Sequence, residues 1–474
     1  MSVLLPRRFP RRNALASALV AFALAGCAND GVERLSAFRQ DLAQGDPRRS
    51  LETVRKNVKL YDSGSDPLYA LDLGVLHHFA GQWDSSIYWL DKADNLFEDL
   101  HARSVSNEAA ALVVNDNVRP YRFRAYERVF LSQLQLVGRL AKGDQDGALV
   151  EARRGVILLN ELNSKGVNGQ HGEAMLETLH WLTFQSGGES DNSVVSLRRS
   201  LAAWQGSKLP MPDPLKADAA FRLRSEGFND EISRWNLSPS AAQLDSSRNL
   251  EQSPAEIVVV CYQGRSPVID QMRAWGTWLK TGMFSYYYNN PATGKQTFNV
   301  LPVPGVPGSG RTFSVNFTLP ILKETISQVG SVTASVDQGP SVATQPIFDT
   351  RDLLGKAVEE EEPAIMARTV VRVATRTLAA QKAKSAIRTG NPLVDLLTNV
   401  GMDVAQGQIE QSDVRMSIWL PRQVRILRIP VQAGVHSLRL QARNSAGIVI
   451  GEKQLDSLQV AKGAKRFVPV AFAY

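Results

Sequence analysis

The chain has 474 residues, 43% of them hydrophobic, 21% charged and 7% aromatic, with 34 Gly and 23 Pro. This composition excludes wholesale disorder, collagen and a continuous coiled coil, and at roughly 100–200 residues per domain the length calls for two or three domains with cores of their own. Formal net charge is +7, but Arg7, Arg8, Arg11 and Arg12 all fall in the first 26 residues, so the remainder carries +3 and nucleic-acid binding has little electrostatic basis.

Residues 1–26 read as an export signal: a basic start, an apolar run of 12 residues from Ala14 to Ala25, then small residues. About 20 residues are needed to cross a bilayer as a helix, so no permanent span is expected here. Leu24, Ala25, Gly26 and Cys27 resemble the bacterial lipobox. That resemblance implies cleavage before Cys27, a diacylglycerol on its thiol and acylation of the new amino group. Covalent lipid on Cys27 is the only prosthetic group expected; no cofactor and no metal is. One acyl chain anchors only marginally, and two or three hold a protein to a leaflet. Ala28, where lipoproteins retained at the inner membrane carry Asp, implies an outer-membrane location facing the periplasm. With Cys27 assigned to lipid, Cys261 is left as a lone thiol within an apolar run, expected to be buried and inert.

Residues 27–206 are read as an α-helical repeat domain. A glycine, a few polar or aromatic residues, then a small and an aliphatic residue recur in helix-spaced sequence. In the clearest copy Leu73 and Gly74 pack a first helix, Gly81 and Trp83 mark the turn, and Ser86, Leu90 and Ala93 follow on a second. Weaker copies centre on Gly45, on Gly143 with Ala148, and on Gly188. The turn glycines are 36, 62 and 45 residues apart, against a tetratricopeptide period of 34. The pattern is thus tetratricopeptide-like but decorated, with an inserted stretch over 102–124. Stacked helix pairs of this kind present a concave groove, expected to receive an envelope protein or peptide. His77 and His78 point about 100° apart on a helix and cannot chelate together. Glu177 and His180 share a face near His171 and Glu173, without a third ligand that would make a metal site.

Residues 207–253, rich in Pro, Ser, Asp and Asn, are read as a linker with at most a short helix. Residues 254–474 are read as a β-rich, sandwich-like domain, so the fold class is α+β and multidomain. Strands are expected at Glu256 to Tyr262, Phe313 to Leu319, Ser331 to Val336, Arg425 to Pro430, Ser437 to Ala442, Ile448 to Leu455 and Arg466 to Phe472. Trp275, Trp278, Phe284, Tyr286, Tyr287 and Tyr288 form an aromatic-rich segment expected to pack inside, the alternative being an exposed contact with membrane or a partner. A long helix is expected over 363–388, started by the acidic run Glu359 to Glu362 and Pro363. On it Arg368, Arg372 and Arg376 recur every four residues on one face, a candidate partner-binding stripe whose alternative is a solvated face or pairing with the acidic run.

The order of the lipobox, Glu127-Arg128-Val129, Gly143-Asp144, Glu151-Ala152-Arg153-Arg154, Met366 to Arg372, Asp413-Val414-Arg415, Leu420-Pro421 and Ala433 to His436 resembles an uncharacterised family of bacterial lipoproteins. Its members have a tetratricopeptide-like N-terminal half and a strand-rich C-terminal half. The resemblance implies a role in cell-envelope biogenesis, as with lipoprotein activators of penicillin-binding proteins, and carries over no catalytic residue. The function expected is a non-enzymatic, lipid-anchored protein-binding scaffold. Alternatives are a component of a surface-polymer export or assembly machine and a cell-wall enzyme, for which Glu173, Glu177 and His436 are unpaired candidates without a nucleophile or zinc motif.

Overall fold

The structure is a computed structural model that describes residues 36–61, 65–102, 120–164, 171–279, 283–289, 296–302, 313–361, 364–365, 367–369, 372 and 412–473. Residues 1–27, with Leu24, Ala25, Gly26 and Cys27, lie outside the described residues, as does Arg376. The fold mixes helices and sheets in the α+β class.

Helices come first, in hairpins. They are α1 (Arg39–Gln44), α2 (Pro47–Lys56), α3 (Asp66–Phe79), α4 (Trp83–Ala102), α5 (Ala125–Lys142), α6 (Gln145–Asn163), α7 (Glu173–Ser186) and α8 (Ser190–Gly206). The α3–α4, α5–α6 and α7–α8 turns repeat one geometry. Gly81, Gly143 and Gly188 take left-handed φ values of 72°, 86° and 75°. The N–H of the next residue, Gln82, Asp144 or Glu189, then reaches 2.9 Å to the carbonyl of His77, Arg139 or Phe184. A glycine supplies this αL position without a Cβ penalty, which is why it recurs there. Close packing explains the small residues. A Cβ on Gly74 would stand 2.6 Å from the Leu90 side chain, and the Ser86 hydroxyl donates to the Gly74 carbonyl at 2.9 Å. Leu73, Leu90, Ala93 and Ala148 are fully buried.

The stretch 207–253 is not a linker. It forms α9 (Asp213–Ser225), α10 (Asn229–Arg234) and α11 (Ala241–Glu251), and Gly227 at φ 84° turns α9 into α10 just as the earlier glycines do. The residues that suggested a connector are helix starts. Pro214 occupies the first turn of α9, and Ser240 caps α11 in a box with Gln243.

Among the described residues three four-stranded sheets follow, built from β1 (Ala255–Gln263), β2 (Val268–Trp278), β3 (Met283–Asn289), β4 (Gln296–Pro302), β5 (Phe313–Lys323), β6 (Ser331–Val336), β7 (Val342–Ala343), β8 (Gln345–Asp349), β9 (Gln423–Val431), β10 (Gly434–Arg443), β11 (Val449–Val460) and β12 (Lys465–Phe472). The central sheet has the order β12-β1-β9-β8, a second has β11-β10-β6-β7, and an outer one has β4-β3-β2-β5. Every residue of β1 is buried, as an unbroken β-branched run requires when both faces are covered. Val258, Val260 and Tyr262 face the helices in one core, whereas Ile257, Val259 and Cys261 face Val332, Leu438 and Leu440 of the second sheet in another. The helical half and the central sheet therefore share a core, in a helix–sheet–sheet arrangement. Burial pushes the Cys261 thiol up to about 12.

A helix covers 350–361, capped by Asp349, whose Oδ1 accepts from the Arg351 N–H at 3.0 Å. Glu359 to Glu361 are therefore helical themselves; of the helix expected over 363–388, residues 364–365, 367–369 and 372 are helical and the others lie outside the described residues. The competing signal was Asp349, a stronger N-cap than the acidic run.

Candidate functional site

The face on which a groove was expected is filled by the protein itself. Helices α3, α5 and α7, the first of each hairpin, are buried along almost their whole length, and α3 and α7 show little amphipathicity, because the second helices cover one side and the central sheet the other. Tyr262 of β1 plugs this interface. Gln133 of α5 donates to its hydroxyl at 2.8 Å, and that hydroxyl is 3.0 Å from Nε2 of His78 on α3. The Tyr262 hydroxyl is the hydrogen-bond partner of Nε2, and among the described residues Nδ1 of His78 has none. Burial pushes its pKa down to about 3. Phe130 packs on both Tyr262 and Phe348 of β8. Trp83 stands half-buried with its ring edge-on to His78, and Trp181 is fully buried.

A first polar cluster gathers several stretches that the sequence singled out. Glu127 is fully buried with its two oxygens each 2.7 Å from the Tyr121 hydroxyl, and it also accepts from the backbone N–H of Arg124 at 2.9 Å. The Arg124 guanidinium binds Glu361 at 3.0 and 3.1 Å and the Arg415 carbonyl at 3.2 Å. Arg415 forks onto Asp413 at 2.9 and 2.7 Å and lies 5.7 Å from the Tyr121 ring centre. Burial raises the Glu127 carboxyl above its ordinary value, against the pull of Arg124. Burial works the same way on Asp413, but there the Arg415 guanidinium outweighs it and leaves the carboxyl below its usual range. A cleft of about 230 Å³ opens beside these groups, lined by Arg122, Arg124, Arg368, Glu361 and Asp413.

The arginine stripe is corrected by this arrangement. Arg368 is half-buried at the cleft, but Arg372 is buried beside Thr369, with 3.3 Å between Nη2 and Oγ1. Residues four apart share a helix face, and this face turns inward, so Arg372 is not displayed to a partner.

A second cluster was missed. Arg428 of β9 is buried and meets three carboxylates: Glu256 at 2.6 and 3.0 Å, Asp218 of α9 at 2.9 Å and Glu251 of α11 at 3.2 Å. Lys465 reaches Glu256 at 2.5 Å, and the Ser247 hydroxyl donates to Asp218 at 2.7 Å. Burial raises the Asp218 carboxyl; Glu256 is held low because Arg428 and Lys465 outweigh its burial. The sequence signal was present, since a lone charge inside an apolar strand run, Glu256 before Ile257 and Arg428 between Leu427 and Ile429, needs a buried partner.

Beside this cluster lies a cleft of about 400 Å³ between α9, α11 and β7–β9, walled by Leu215, Gln243, Ser246, Ala343, Leu427 and Pro430. β8 pairs with β9 only from Gln423 to Ile426, so among the described residues the segment Leu427 to Pro430 has a strand partner on the β1 side alone. Pro430 suits such an edge because it has no N–H to leave unpaired. The chemistry on offer is backbone pairing and apolar contact.

Other expected candidates stand apart from both clefts. His180 Nδ1 is 3.3 Å from Glu177 in the helical core, Glu173 accepts from the His171 N–H at 2.8 Å, and His436 is 2.6 Å from Asp337 at the far end of β10. Among the described residues no group of three or more His, Cys, Asp or Glu is placed to hold a metal ion, and no helix is long and apolar enough to cross a membrane. In comparisons with known proteins, no family model, no curated protein and no solved structure matches this chain.

Proposed function

We propose that the protein is a non-enzymatic scaffold of the bacterial cell envelope, held to the outer membrane by lipid on Cys27 and facing the periplasm. Its helix hairpins are read as tetratricopeptide-like repeats, supported by the recurring αL glycine turns and the Gly74–Leu90 contact. The resemblance to envelope lipoproteins belongs to the same proposal.

The partner does not use the helical groove, which the central sheet occupies. It is an extended segment of an envelope protein that enters the 400 Å³ cleft and adds to the edge of β9. One observation carries this: a strand edge without a ladder partner among the described residues, beside an apolar cleft, offers main-chain pairing for affinity and side-chain contact for selectivity.

Cross-linked envelope from cells making the full-length protein tests the reading. The wild type is expected to capture a discrete envelope protein, and Ser246→Trp, which fills the cleft, is expected to lose it. Equal capture by both removes the cleft from the proposal. Cys27→Ser is expected to leave the membrane fraction or retain its leader; unaltered membrane sedimentation of a processed form removes the anchor. If the captured proteins belong to a polymer-export complex, the scaffold is a component of that machine.

A further inference from the structure

The outer sheet β4-β3-β2-β5 has two unlike faces. On one, Phe284, Tyr286 and Phe317 are buried against one another, and Gly276 leaves room for the Phe284 ring, which a Cβ would meet at 2.1 Å. On the other face the register sets Trp275 opposite Tyr287 and Tyr287 opposite Phe298, a single aromatic row across three strands. These side chains are 44%, 42% and 64% exposed, and the Trp275 and Tyr287 rings stack at 5.8 Å. The sequence expectation of internal packing thus holds for Phe284 and Tyr286 and fails for Trp275 and Tyr287, because strand alternation sends neighbours to opposite faces. Exposed Arg273, two residues before Trp275, lies on the same face as the row.

A contiguous exposed aromatic row needs an occupant. The charge of the segment indicates which. From Val268 to Lys323 the chain carries Arg273, Lys280, Lys295, Arg311 and Lys323 against Asp270 alone, a net charge of +4; Lys323 pairs with Asp270 at 2.9 Å, Arg273 is on the face of the row, and Lys280, Lys295 and Arg311 lie outside the described residues. Tyr and Trp favour the membrane–water interface, where an apolar ring and a polar edge are both satisfied, and basic residues near them are drawn to anionic headgroups.

We propose that the Phe298–Tyr287–Trp275 face of the outer sheet docks on an anionic lipid surface. The inference does not depend on lipidation of Cys27, because the aromatic row and its charge are features of the sheet.

The test reads Trp275 in the full-length protein, mixed with phosphatidylcholine vesicles that contain or lack phosphatidylglycerol and carry bromine on the acyl chains. Bromine quenches tryptophan only on contact with the bilayer. Wild-type fluorescence is expected to be quenched more than that of Trp275→Phe, and the difference to grow with phosphatidylglycerol, on the order of fivefold in apparent affinity for each basic residue brought near the surface. Phe298→Asp, which keeps Trp275 but places a charge in the row, is expected to abolish the difference, with unchanged thermal unfolding as the folding control. Equal quenching of wild type and Trp275→Phe on anionic vesicles overturns the proposal. So does a Trp275 emission change on soluble glycan fragments in place of vesicles, which makes the face a sugar platform.

Discussion

The central sheet and the outer sheet are built from similarly apolar strands but end in opposite environments. In the central sheet, β1 is covered on one side by α3 and α5 and on the other by the second sheet, and two polar side chains that it brings inside have partners: Tyr262 meets Gln133 and His78, and Glu256 meets Arg428 and Lys465. In the outer sheet one face is closed by its own aromatic rings and the other leaves Trp275, Tyr287 and Phe298 in solvent. The difference separates two uses of apolar strand surface. Where both faces are covered, burial holds the layers together and each polar atom must be matched inside. Where one face is open, apolar area stabilises nothing within the chain and is free to meet something outside it.

The sharpest way to break this comparison is at Arg428. Arg428→Met leaves Asp218, Glu251 and Glu256 around an uncharged side chain, and removing one partner of a buried ion cluster costs about 3–5 kcal/mol. Urea unfolding should show that loss; a change below about 1 kcal/mol would mean that the cluster is solvated and the central sheet less enclosed than described.

Acid provides the next test. His78 is neutral in the fold with a pKa pushed down to about 3, against 6.5 when unfolded. Below about pH 6.5 the unfolded chain takes up a proton that the folded chain refuses, so stability falls as pH drops toward 3, by about 1.4 kcal/mol per pH unit from this group. His78→Gln keeps an acceptor for Tyr262 and should flatten the pH dependence of unfolding by one proton. An identical slope in both proteins would place His78 in contact with water.

Tyr262→Phe leaves the Gln133 amide and His78 Nε2 without their shared hydroxyl, with an expected cost of about 1–3 kcal/mol by thermal unfolding. At the outer sheet the same chemistry should matter least. Phe298→Ser is expected to stay within about 0.5 kcal/mol of wild type, since the side chain is already mostly in solvent. A larger loss would show that the aromatic row supports the fold and is not a free surface.

Periodicity and turn chemistry made much of the fold legible. The glycine turns at Gly81, Gly143 and Gly188, the buried run Ile257 to Tyr262 and strands β6, β10 and β11 of the second sheet follow from local patterns that any chain context would respect. The errors have a common physical origin. Pro214 and Ser240 look alike as linker residues and as helix starts until α9 and α11 are packed against a sheet. Arg368 and Arg372 occupy the same helix face whether that face is wet or dry. The cleft beside β9 was not legible at all, because among the described residues the edge lacks a strand partner only where β8 begins at Gln345, and the walls of the cleft come from two helices of an earlier stretch.

Local sequence by itself determined where chains turn, which strands alternate, and the lipobox-like start, because dihedral preferences and side-chain period act over a few residues. Tertiary structure alone decided that the expected groove is occupied, that Arg428 collects carboxylates from α9, α11 and β1, and that Trp275, Tyr287 and Phe298 form one row. Those are contacts between segments far apart in the chain, and burial, which gives them their energetic weight, is a property of the assembled layers and of no segment taken singly.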